Sequence, residues 1–95
     1  MKQIEIYNEL KELAKNLGIT IRRVNGSISG GLCTVKDKMY ILVNKTDPPE
    51  VVINVIANGI ASLGIENLYI KPVIREIIEK EVLSRNRLIQ SENIK

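Results

Sequence analysis

Apolar residues recur along this chain with two different periods. Ile6, Leu10, Leu13 and Leu17 fall three and four residues apart, which predicts a helix from Lys2 to Leu17 with one apolar stripe. Gly18 follows at once and suits the left-handed residue that ends a helix. Ile19 and Ile21 then alternate with Thr20 and Arg22, the pattern of a short strand with one wet face. Asn25-Gly26 marks a turn. Leu32 to Lys36 and Met39 to Asn44 read as the arms of a hairpin that bends at Lys36-Asp37-Lys38, without the Asn-Gly or Asp-Gly pair that signals such bends most strongly. The stretch MYILV in the second arm is apolar on both faces and predicts the most buried strand.

The clearest boundary is TDPPE. Asp47 is placed as an N-cap, Pro48 fits the first helical position, and Glu50 falls three residues after the cap. A helix from Pro48 to about Leu63 follows, ended by Gly64, with Val52, Val55, Ile56, Ile60 and Leu63 on its apolar side. Pro72 opens a last helix striped by Ile74, Ile77, Ile78 and Val82, and past Ser84 the sequence turns polar, which predicts a frayed or helical tail over 84–95. The expected fold is a single α+β domain over 1–95. A small three-stranded antiparallel sheet packs against three helices in the order α-β-β-β-α-α.

Composition narrows the functional classes. The 95 residues are 44% apolar, and isoleucine carries that share, since Trp and Phe are absent and Tyr7, Tyr40 and Tyr69 are the only aromatics. One cysteine forms no internal disulfide, which fits a reducing, cytoplasmic setting. No apolar run reaches the roughly 20 residues of a membrane span, and the Glu-rich start does not read as a secretory signal. The net charge of +3 is unevenly spread: residues 15–45 hold six basic side chains against Asp37 alone. Arg22, Arg23, Lys36, Lys38 and Lys45 are the candidate phosphate contacts of that region, with Tyr40 the aromatic nearest to them. The plainer reading is ordinary surface charge.

Catalysis finds few carriers. With no His, the commonest general base and the commonest metal ligand are both missing. One Cys without His builds no structural zinc site, and Cys33 has no base to make it a thiolate, so it reads as a small apolar residue. Gly30-Gly31 leads into the strand-like LCTVK and not into a helix, so it is a bend and not a phosphate loop. Glu76, Glu79 and Glu81 interleave with Arg75, Lys80 and Arg85 as a solvated helix face does. The expectation is a protein that is no enzyme and holds no cofactor and no metal.

One polar stripe stands out on the middle helix. Asn54, Asn58 and Ser62 are four residues apart and share one side, either as a plain wet face or as the wall of a groove. The element order, the ILVN strand end at Ile41 to Asn44 and the helix VIANGIAS at Val55 to Ser62 together resemble the core of the ImmA/IrrE-type zincin peptidases, which cleave or regulate phage-type repressors. Their zinc helix carries Leu-Ala-His-Glu-x-x-His. On the Ile56-Ala57 match, Asn58 and Ser62 stand where the two His ligands would be and Gly59 stands where the catalytic Glu would be. The resemblance implies a peptidase-like scaffold without hydrolysis. The Gly-Gly-x-Cys hairpin at Gly30 to Cys33 and the Pro-x-x-Arg-Glu helix start at Pro72 to Glu76 also resemble a group of short bacterial proteins, which implies no activity.

Three functional readings follow. The first is a non-catalytic interaction or regulatory module with a protein partner or a second copy of itself, Ile74, Ile78 and Val82 being the candidate interface. The second is weak, electrostatic nucleic-acid binding by the basic hairpin region. The third is a pseudo-peptidase that captures a peptide by strand addition without cutting it.

Overall fold

The most apolar strand takes the centre of the sheet. The computed structural model describes residues 2–25 and 31–93, with side chains as far as residue 83. β3 (Lys38–Asn44) lies between β1 (Ile19–Val24) and β2 (Gly31–Val35), giving the strand order β1-β3-β2. β2 pairs with β3 antiparallel, from Gly31 opposite Leu42 to Val35 opposite Lys38. β1 pairs with β3 parallel, from Ile19 beside Met39 to Val24 beside Asn44.

The sheet is therefore mixed, which corrects the antiparallel sheet expected from sequence. The chain reverses twice, so β1 and β3 point the same way. A meander would hide this by keeping β2 between them. β3 has apolar residues on both faces and gains most from two neighbours, so it takes the centre and leaves the shorter β2 at the edge.

Three helices complete the fold: α1 (Gln3–Asn16), α2 (Pro49–Ala61) and α3 (Pro72–Asn93). α1 and α2 lie against the sheet face that carries Ile19, Ile41 and Val43, and α3 packs on α2 and α1. One buried cluster joins Leu10 and Ala14 of α1, Val52, Ile56 and Ile60 of α2, Ile74 and Ile78 of α3, and the three strand residues. Each such Ile or Leu contributes about 1.5–3 kcal/mol by leaving water. Gly59 lets α2 sit directly on the sheet, since a Cβ there would lie 2.7 Å from Cδ1 of Ile41.

The helix ends follow the glycines. Gly18 has φ 79° and Gly64 has φ 83°, both in the left-handed region, as the sequence predicts for the residues that close α1 and α2. The start of α2 differs from expectation. Pro48 is the N-cap residue, extended at ψ 157°, and no side chain caps the helix. Pro49 disfavours the helical region for the residue before it, so the helix waits until Pro49 and leaves Asp47 one position too early to cap. The Asp47 N–H instead donates to the Asn44 carbonyl at 3.1 Å in the turn after β3.

The hairpin bend is made without glycine. Lys36 and Asp37 have φ 49° and 70°, the paired positive values of a two-residue turn whose twist matches the strands. Gly26 and Gly30, on which the turn and bend readings partly rest, lie outside the described residues, as do the side chains of the tail beyond residue 83. No helix among the described residues is long and apolar enough to cross a membrane.

Candidate functional site

The polar stripe of α2 does not act as one surface. Asn54 is exposed to solvent. Asn58 is half-buried, and its Nδ2 donates to Oε1 of Glu81 on α3 at 2.6 Å. Ser62 turns back on its own helix, its Oγ donating to the Gly59 carbonyl at 2.7 Å. Asn58 and Ser62 are thus engaged within the fold, and Glu81 is a partner that the sequence pattern assigned to a solvated face. Its signal, a carboxylate 23 residues from Asn58 on a separate helix, has no local spacing to reveal it.

α3 is held in place by contacts with the loop that precedes it. Nη2 of Arg75 donates to the carbonyls of Ile65 at 3.1 Å and Leu68 at 2.5 Å, pairing two carbonyls of the α2–α3 connection. Nζ of Lys71 donates to Oε1 of Glu9 on α1 at 2.6 Å. That hydrogen bond, and then the Glu9 charge, hold the Lys71 ammonium above its ordinary value of 10.5. These ties hold the first turn of α3 to α1 and to the α2–α3 connection.

The sheet edges form the second feature. Val35 and Lys38 flank the two-residue turn and are its hydrogen-bonded pair, and bonded and non-bonded pairs alternate from there. The main-chain N–H and C=O of Thr34 and Leu32 therefore point away from β3, towards the outer edge of β2. No described strand pairs with that edge. The two edges differ in chemistry: β1 (ITIRRV) carries Arg22 and Arg23, whereas β2 (GLCTV) carries no charge. Charged side chains on an edge discourage strand addition, so β2 is the receptive one.

The basic candidates are dispersed. Arg22 and Arg23 alternate to opposite faces. Arg22 lies 5.2 Å over the Tyr40 ring on the face away from the helices. Arg23 lies 5.8 Å over the Tyr7 ring of α1 and donates through Nη2 to its hydroxyl at 3.3 Å. Lys36 and Lys38 are exposed at the hairpin end, and Lys45 is exposed past the other end of β3. Seven strand residues separate those ends by roughly 20 Å.

Ile74 and Ile78 are buried in the chain's own core, which leaves Val82 as the accessible member of the apolar trio. Val82 is half-buried beside Ala61, Ile65 and Leu83 in an open groove of about 420 Å³. Cys33 is a free, half-buried thiol that faces the same side as Tyr40, its partner across the sheet. Among the described residues no three Cys, Asp or Glu side chains cluster as metal ligands do. The arrangement offers a rigid frame and an unpaired main-chain edge. No family model, curated protein or solved structure matches the chain.

Proposed function

We propose that the protein is a non-catalytic interaction module that captures an extended peptide along the outer edge of β2. The observation that carries this reading is that edge: Leu32 and Thr34 present main-chain donors and acceptors outward from an uncharged strand. In this reading the scaffold is peptidase-like and has lost its chemistry, as the ImmA/IrrE resemblance implies. Two observations support that. Asn58, at a would-be ligand position, is closed onto Glu81 by a 2.6 Å hydrogen bond. Gly59, at the would-be base position, has its Cα packed so tightly on Ile41 that even a Cβ would come within 2.7 Å. Hydrolysis needs a positioned base and an activated water, and neither position offers one.

The test is selection of binders from a displayed library of random peptides, followed by Thr34→Pro. Proline removes only the outward N–H of Thr34, so the ladder to β3 survives. Selected peptides should bind the wild type, remain uncut, and lose about 2–10-fold in affinity for each edge hydrogen bond removed. Unchanged binding to a folded Thr34→Pro variant rejects the edge, and cleavage of a selected peptide rejects the non-catalytic reading.

A further inference from the structure

The sheet has a second side that the helices leave open. Thr20, Arg22 and Val24 of β1, Lys38, Tyr40 and Leu42 of β3, and Cys33 and Val35 of β2 share it by strand alternation. Tyr40 and Leu42, on the central strand, are only half-buried, whereas their neighbours Ile41 and Val43 on the helix side are fully buried. Val35 is 53% exposed. The charges on this open face are Arg22 and Lys38, both positive, and no described strand residue places an acid there. Arg22 lies over Tyr40, 5.2 Å from the ring centroid, so the apolar centre and the positive charge are superposed.

We propose that this open sheet face binds single-stranded nucleic acid, with bases stacking at the Tyr40–Arg22 pair and phosphates meeting Arg22 and Lys38. The occupant is chosen by charge and by size. Three strands at about 4.8 Å spacing and about 20 Å length make a face of roughly 300 Å². A stable protein interface covers about 800 Å² on each partner, so the face is small for a second copy or another folded protein. A symmetric pairing of two such faces would also set Arg22 and Lys38 over a face whose strand charges are likewise positive, a like-charge contact that costs affinity. A single strand needs less: about one or two bases can stack on a single aromatic ring with an arginine plane beside it, since both serve as platforms. This surface is separate from the β2 edge and does not depend on peptide capture there.

The experiment uses fluorescence anisotropy of the full chain with 5′-labelled eight-residue oligothymidylate and its RNA counterpart. Binding of either is expected at low salt, with a log–log salt slope of about −1.4 for two phosphate contacts on a single strand. Tyr40→Ala should weaken binding about tenfold, and Tyr40→Phe should retain it. Arg22→Ala and Lys38→Ala should each weaken binding and flatten the slope. Arg23→Ala and Lys45→Ala remove the same charge elsewhere and should change binding little. Thr34→Pro should leave it intact. Equal losses from Arg23 and Arg22 variants overturn the proposal, since binding would then follow net charge. So does an absence of binding at low salt, and so does a concentration-dependent dimer, seen by sedimentation, that Leu42→Glu dissociates.

Discussion

Two neighbouring residues of β3 live in different worlds. Ile41 points into the helices and is fully buried, while Leu42 points the other way and keeps part of its surface in water. Their side chains are both apolar and nearly equal in size, and the sequence MYILV treats them alike. What separates them is that α1 and α2 lie on one side of the sheet only. Apolar content on both faces of a strand thus identified the centre of the sheet, but not a sheet covered on both sides. A strand can be chosen for the centre because it tolerates burial, without the chain having helices enough to bury it twice.

The widest separation between the two faces should appear on truncation. Ile41→Ala removes packing that cannot collapse against Gly59 and should cost about 2–5 kcal/mol in chemical denaturation, whereas Leu42→Ala should cost roughly 1 kcal/mol. Equal losses would mean that something covers the open face in solution. A finer probe is the contact between α2 and the sheet. Gly59→Ala gains about 1 kcal/mol of helix propensity but forces a methyl group against Ile41, an overpacking cost of about 1–3 kcal/mol. The net should be destabilising, and Ile41→Val should relieve part of it in the double variant, a coupling that a double-mutant cycle reads directly. Additive effects would show that the helix simply moves away.

Much of this architecture could be read from the chain, and the failures are instructive. Gly18 and Gly64 ended their helices because a left-handed residue is needed there and glycine adopts it freely. The stripes that begin at Ile6 and Ile74 found the core through Leu10, Ile74 and Ile78, because helical spacing is a local property. Strand order is not local. It was decided by competition between β2 and β3 for the central position, which no single segment announces. The cap was missed because a second proline overrode the first: Pro49 holds Pro48 extended and moves the start of α2 past the reach of Asp47. Of the candidate site, the absence of His and the Asn58–Gly59–Ser62 spacing were plain, but Glu81 became a partner only when α3 folded back on α2.

The smallest expected effect lies at the surface, where neither face of the sheet is involved. Lys71 has a raised pKa in the folded chain, chiefly through its hydrogen bond to Glu9. A raised pKa means that folding favours the protonated amine. The stabilisation is complete below the ordinary value of 10.5 and fades as pH rises through the higher folded value. Thermal melts of the wild type and Lys71→Met should therefore differ slightly near neutral pH and converge in strong alkali. The pair is solvent-exposed, so added salt should shrink the difference as well. A difference that persisted at high pH would assign the effect to the lysine stem and not to its charge.

The meeting of Gly59 and Ile41 also restricts the order in which this sequence can change. While Ile41 keeps its δ-carbon, buried on every side, position 59 admits no side chain without displacing it. A longer residue at 59 is accommodated best after a smaller one at 41, and a chain with that smaller residue and Gly59 carries a cavity at the centre of its sheet. The two positions are therefore linked in what they tolerate: the side chain that fits at 59 depends on the one that stands at 41.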